Sequence, residues 1–164
     1  MKVRRLHADE ASLLKDLRLR ALADAPTAFA HTHAEISAKP QTYWDEMTAS
    51  LTTRHVMVVA EADGRAIGMA FGIRQRERPD VPHVGGMWVD PAARGGGAGR
   101  ALTAAVLDWA RENRFPRIGL WVTEGNGPAT RLYTAMGFTP TGRRNAHPFD
   151  PQLGIIEMER VLSP

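Results

Sequence analysis

The chain has no cysteine among its 164 residues, which excludes a disulfide framework, a thiol nucleophile and cysteine-ligated zinc, and suits a reducing compartment. Long apolar runs are missing too. Nothing approaches the ~20 residues that a membrane span requires. The opening Met1-Lys2-Val3-Arg4-Arg5-Leu6-His7 leads into no apolar signal core. These absences predict a cytoplasmic protein with no membrane partner. Lysine is scarce, since Lys2, Lys15 and Lys39 are the only lysines among 21 basic residues. The charge excess is only +3, whereas nucleic-acid binding leaves a strong basic patch, so no nucleic-acid partner is expected. The remaining basic residues are arginine, whose planar fork grips phosphate oxygens in pairs, and a small phosphorylated ligand suits that balance better. Metal-ligand spacing is absent as well. His31 and His33 lie two apart rather than three or four, and no third ligand accompanies them, so no metal is expected.

What is present is a globular composition, 43% apolar and 24% charged. A chain of this length buries roughly 70% of its unfolded surface, so one domain over 1–164 needs no covalent or metal staple. Leu13, Leu14, Leu17 and Leu22 recur at helical spacing and predict a helix over 9–23. Asp9 would cap it, and Lys15, Asp16, Arg18 and Arg20 would lie on its other faces. A weaker helical pattern covers 40–49, and 28–33 fits no element. Short β-branched runs at 55–61 and 66–75 flank Asp63-Gly64, a hairpin signal. The segment 74–82, with Arg74, Arg76, Arg78 and two prolines, reads as a solvated loop. A third strand over 83–89 stops at Asp90-Pro91. The clearest helix spans 98–113, with Leu102, Val106 and Trp109 on one face. A strand over 118–122, a helix over 126–136 ended by Gly137, and strands over 138–144 and 154–160 complete the chain. This order is that of an α/β (α+β mixed) domain with a mixed sheet.

Chemistry concentrates where the third strand runs into the clearest helix, through Arg94-Gly95-Gly96-Gly97-Ala98-Gly99-Arg100. Glycines let the backbone approach a ligand, and a helix N-terminus adds unpaired N–H groups and the positive end of a dipole. Together they make an anion site suited to phosphate or pyrophosphate, and the alternative is a ligand-free surface turn. No lysine lies near, which excludes a P-loop. The dinucleotide spacing fails because its last glycine would fall on Arg100 or Leu102.

What remains is Arg-x-x-Gly-x-Gly, met by Arg94, Gly97 and Gly99, and it resembles the coenzyme A pyrophosphate loop of the GNAT superfamily of acetyl-CoA-dependent N-acyltransferases. The surroundings match as well. Met87-Trp88-Val89-Asp90-Pro91 precedes the loop; Leu120 to Val122, Asn126, Leu132-Tyr133 and Gly137-Phe138 follow at the family's spacing. The opening Leu17 to Pro26 and Phe29 also looks like that of bacterial members.

The resemblance implies a central mixed, mostly antiparallel sheet with two splayed parallel strands, flanked by helices. It implies a pantetheine arm along the backbone of Met87, Trp88 and Val89. Pyrophosphate would rest on Gly95, Gly96, Gly97, Ala98, Gly99 and Arg100, with Arg94 beside it. Asn126 would lie next to the arm, or cap the following helix, or both. Tyr133 matches the tyrosine that protonates the departing thiolate, and its alternative role is packing beside Leu132. No acid occupies 83–89, a departure from the family. The base then falls to Glu124 first, to His83 second, or to water on backbone carbonyls. The arginines at 74, 76 and 78 could meet an acidic acceptor or the coenzyme's 3′-phosphate. The implied activity moves an acetyl group from the co-substrate acetyl-CoA to a primary amine by direct attack, the acceptor being a small molecule or a protein amine. Another acyl-CoA and a non-catalytic acyl-CoA-binding role stay open, as does a homodimer.

Overall fold

The computed structural model describes residues 1–29 and 31–163. Ala30, within the segment that fits no element by sequence, and Pro164 lie outside them. The elements run β1 (Lys2–Arg5), α1 (Ala11–Asp24), α2 (His33–Ser37), α3 (Gln41–Thr53), β2 (Val56–Ala62), β3 (Arg65–Ile73), β4 (His83–Val89), α4 (Ala98–Glu112), β5 (Arg117–Thr123), α5 (Gly127–Ala135), β6 (Thr139–Ala146) and β7 (Gly154–Val161).

The strands form one seven-stranded sheet in the order β1-β2-β3-β4-β5-β7-β6. Every neighbouring pair is antiparallel except β4 and β5. That parallel pair is registered only at His83 with Gly119 and Val84 with Leu120, and beyond it the strands part. The central strands are buried on both faces, so they read as continuous apolar runs. In β2 the side chains alternate. Val56, Val58 and Ala60 pack under α4, while Met57 and Val59 pack under α1 and α3. The sheet thus separates two apolar layers, one closed by α4 and α5 and the other by α1 to α3. Among the described residues, no helix is long and apolar enough to cross a membrane.

The sequence reading differs from the structure in instructive places. β1 is an edge strand without apolar alternation. Ion pairs carry it instead, Arg4 holding Glu10 at 2.8 Å and Glu61 at 2.7 Å. Asp9 does not cap α1, which begins at Ala11, and Glu10 at the cap position spends its carboxylate on Arg4 and the His7 amide. Arg18 lies on the core face of α1 rather than on a polar one, with only 5% of its surface exposed. α2 was missed; the signal that could have found it is Thr32-x-x-Glu35, which forms a capping box: the Thr32 hydroxyl accepts from the Glu35 amide, and the Glu35 carboxylate accepts from the Thr32 amide.

Candidate active site

The anion site begins where Asp90 stops β4. One carboxylate oxygen accepts from the Ala92 amide at 3.0 Å, and the other takes Arg20 at 2.7 Å and Arg65 at 3.0 Å, which fixes a single 3₁₀ turn at Pro91–Ala93. The chain then enters α4 through Gly97 at φ +84°, in the left-handed region. A Cβ there would meet nothing within 4 Å, so glycine answers a backbone demand and leaves the approach open. The first helical bond is Ala101 N–H to Gly97 O. No amide from Gly95 to Arg100 has a backbone partner among the described residues. These unpartnered donors and the N-terminus of a 15-residue helix border one groove of about 420 Å³, which Gly95, Gly97, Ala98, Gly99 and Arg100 line. Its walls are Met87, Val89, Ala98, Pro128, Ala129 and Leu132, with Arg94 and Arg100 at the rim.

The two arginines differ. Arg100 makes no ion pair among the described residues. The Arg94 guanidinium is bound to the Asp24 carboxylate and donates to the Val89 carbonyl at 3.0 Å. Asp24, at the end of α1, also accepts from the Trp88 indole at 2.9 Å. Nothing in Leu22-Ala23-Asp24-Ala25-Pro26 marks this clamp by sequence, because its partners lie 64 and 70 residues away.

Where β4 and β5 part, β4 carries a bulge. Met69 pairs with Trp88 and Phe71 with Gly85, so Gly86 and Met87 together oppose Ala70. Gly86 sits at φ +56°, and a Cβ on it would lie 2.5 Å from the Phe71 ring. Beyond the bulge, Asp90 N–H bonds the Ile67 carbonyl on the β3 side. Alternation then turns the N–H and C=O of Val89 towards the gap, consistent with the Arg94 bond to that carbonyl. Met87 and Val89 line the groove, whereas Trp88 lines neither the groove nor the gap beyond it: its ring is buried on the opposite face, and its backbone pairs with Met69 of β3.

The gap holds a cavity of about 140 Å³ between Gly85, Gly86, Trp121, Asn126 and Tyr133, with Ala28 and Phe29 on the α1 side. It adjoins the groove, and Met87 and Ala129 line both. Asn126 caps α5, its side-chain oxygen accepting from the Ala129 amide at 3.2 Å, and lines the cavity as well. Tyr133 is fixed from behind. Gly137 takes the left-handed cap, Phe138 N–H bonds the Tyr133 carbonyl at 3.0 Å, and the two rings meet edge to face at 5.8 Å. The Tyr133 hydroxyl has no protein partner among the described residues, and burial pushes its pKa up to about 12.

The two candidate bases fare differently, and neither lines the cavity. Glu124 is exposed and grips Arg144 through both oxygens at 2.6 Å, and this ion pair holds its carboxyl below the usual range. A carboxylate so held is a poor proton acceptor. His83 lies over Gly119 on the face away from α4. Its Nε2 is buried with no hydrogen-bond partner, and burial lowers its pKa, so the ring is neutral at pH 7. Glu157, 3.6 Å from His83 Nε2, was missed by sequence. It faces away from the α4 layer between Ile156 and Met158, enclosed by Arg78 at 3.0 Å, Thr141 at 2.9 Å and Arg143 at 3.4 Å. Arg78 is therefore not a solvated loop residue. Arg74 is not one either, since it bonds the Arg54 carbonyl at 2.8 Å and Asn113 at 2.6 Å.

Comparison with known proteins agrees with this geometry. The model of the acetyltransferase (GNAT) family matches residues 18–138. A mycothiol acetyltransferase of Thermomonospora curvata is 36% identical over 132 residues, covering 80% of this chain and 41% of that protein. The chain thus spans less than half the length of this curated relative. A GCN5-related N-acetyltransferase from Kribbella flavida has 28% identity and a TM-score of 0.74, with 98% of this chain and 97% of that one covered. The PaiA N-acetyltransferase of Thermoplasma acidophilum, solved in complex with coenzyme A, shares the fold at 12% identity and a TM-score of 0.75, with 98% of each chain covered. By its sequence and its splayed sheet, the chain belongs to the GNAT acetyltransferase family.

Proposed function

We propose that the chain transfers the acetyl group of acetyl-CoA to a primary amine. The observation that carries this reading is the row of unpartnered amides at Gly95 to Arg100 beside a groove that adjoins a gap lined by Tyr133. The residues fit the co-substrate. A pyrophosphate meets convergent N–H groups and Arg100. An extended pantetheine amide finds the N–H of Val89, whose carbonyl already accepts from Arg94, and an apolar groove receives the rest. The coenzyme supplies an activated thioester.

Tyr133 acts at the leaving sulfur. Its hydroxyl stays protonated well above neutral pH. A thiol has a pKa near 8.5, so complete proton transfer from the resting phenol is uphill by about 5 kcal/mol. Tyr133 therefore works first as a hydrogen-bond donor that stabilises the departing thiolate, with transfer completed as charge develops. His83, neutral and largely buried on the face of β4 away from α4, suits the acceptor's proton better than Glu124, reached through water because its ring does not line the cavity. The name of the curated relatives supports a small-molecule amine over a protein amine, and use of acetyl-CoA supports a cytoplasmic setting.

Thiol release from acetyl-CoA against a panel of amines tests the proposal. The expected result is amine-dependent turnover that falls about 10²-fold in kcat for Tyr133→Phe, with the acetyl-CoA KM little changed. Coenzyme binding without turnover of any amine would point to a binding domain instead.

A further inference from the structure

The connection between α1 and α2 supplies one wall of the gap, through Ala28 and Phe29. The Phe29 ring is buried against Arg18, 5.4 Å from the guanidinium carbon, and fixes one end of that wall. Thr27 and Ala28 are exposed, and the local bond there runs from Ala28 N–H to the Ala25 carbonyl at 3.1 Å. The second fixed point comes from 120 residues away. His147, which follows β6, is buried, and its Nε2 meets the Thr27 carbonyl. Its Nδ1 accepts from the Phe149 amide at 3.2 Å. A carbonyl only accepts and an amide N–H only donates, so these partners assign the neutral ring with its proton on Nε2. Among the described residues, no other hydrogen bond ties 26–29 to the sheet or to another loop.

The anchor itself is stiff. His147 N–H bonds the Leu153 carbonyl at 2.9 Å, Leu153 N–H bonds the Asp150 carbonyl at 3.0 Å, and Gln152 N–H bonds the Asp150 carboxylate at 3.0 Å. Pro148 and Pro151 restrict the same loop further. A rigid loop thus grips a sparsely bonded one through a single imidazole. No residue of either loop lines the coenzyme groove. A coenzyme that arrives through that groove, on the α4 side, leaves the α1-side wall of the gap to the acyl acceptor. We propose that His147 is a positioning residue for the acceptor: by holding the Thr27 carbonyl, it fixes Ala28 and Phe29 as the wall against which the amine seats. The imidazole touches neither substrate. Its effect on rate comes through placement, since a shift of about 1 Å in a reacting group can cost about 10²-fold. This inference rests on the acyltransfer reading above.

Two substitutions separate the grip on Thr27 from the shape of the loop that holds it. His147→Asn puts an oxygen where Nδ1 accepts from Phe149 but is too short to reach Thr27. His147→Gln carries an amide N–H to the place of Nε2 and keeps the Thr27 bond. Rates with acetyl-CoA are compared for the three proteins over the amine panel, with ethanolamine, benzylamine and glycinamide among its members. For each amine the wild type uses, kcat/KM should fall about 10- to 100-fold in His147→Asn and stay within about threefold in His147→Gln. The acetyl-CoA KM, and the rise in Tm that acetyl-CoA produces, should be unchanged in both. An amine kcat/KM in His147→Asn equal to that of the wild type overturns the inference while acyltransfer stands, and so do equal losses in the two variants. If the wild type acetylates no amine, acyltransfer fails and the inference fails with it. Amide exchange covers an asparagine variant that does not fold. In the wild type and His147→Gln loaded with coenzyme A, a saturating amine substrate should slow exchange over 25–29 at least about threefold, and unchanged exchange overturns the inference.

Discussion

Gly97→Asp separates the anion site from the fold. The substitution places an L residue at φ +84°, which costs about 1–2 kcal/mol. The new Cβ meets no atom within 4 Å, so no clash adds to that. A carboxylate beside the first turn of α4 returns about 0.3–1 kcal/mol through the helix dipole. The net loss is near 1 kcal/mol, or a fall in Tm of about 2–4 °C for a chain of this size. Ligand binding responds far more. Acetyl-CoA at a hundred times its Kd stabilises the wild type by about 2.7 kcal/mol and should raise its Tm by about 5–10 °C. In the variant, a fixed negative charge sits among the amides that must receive pyrophosphate, and like charges in contact cost several kcal/mol. Kd should rise at least about 100-fold, and the thermal shift should vanish. Gly97→Ala carries the same backbone strain without the charge and should keep most of the shift. Scanning fluorimetry of the three proteins with and without acetyl-CoA reads all of this. A folded Gly97→Asp protein with an undiminished shift would show that the coenzyme binds elsewhere.

Tyr133→Phe should leave Tm unchanged within a degree or two, because the hydroxyl makes no bond to the protein, and a large drop would reveal a structural role. Glu124→Gln should change kcat by less than about threefold, since the carboxylate is tied to Arg144, whereas a hundredfold loss would restore it as the base. Gly86→Ala should lower stability by about 1–3 kcal/mol through its 2.5 Å clash with Phe71, measured by denaturant midpoint. Stability should also fall with acid in a defined window. His55 and His83 have pKa values lowered by burial, so the unfolded chain takes up protons near pH 6.5 that the folded chain refuses. Tm should be level above pH 7 and fall as pH drops from about 6.5 towards 5, before the lowered carboxylates add their loss below about 4.5. A flat Tm over that window would contradict the burial of these rings.

The strands β2 to β5 and β7 were legible because central strands show apolar runs and their breaks carry Asp-Gly, Asp-Pro or Gly, whereas β6, an exposed edge strand, was placed only by the helix stop at Gly137 before it. The loop from Arg94 to Arg100 was legible because a chain seldom places so many glycines against a helix start without a backbone reason. β1 was not, since an edge strand held by Arg4 ion pairs has no hydrophobic period. The clamp by Asp24, the burial of Glu157 and the position of Arg18 were hidden for another reason. Each depends on partners far along the chain, and a charged residue on a helix or strand reads as solvated until its neighbours are known. The choice of Glu124 as first base shows the same limit: its place after β5 was visible in sequence, but its bond to Arg144 was not.

The short registry of β4 with β5 has a mechanical side. With two paired residues between them, β1–β4 and β5–β7–β6 are two plates joined along a narrow hinge, with α4 laid across one side. On the proposed function, a pantetheine arm seated in the gap would bond to the Val89 N–H and fill the wedge, so that binding would stiffen the whole sheet rather than one pocket. Release of the spent coenzyme must then loosen it again. The slow motion of a turnover cycle is expected at this hinge, with amide exchange along β4 and β5 slowing when the wedge is filled and quickening when it empties.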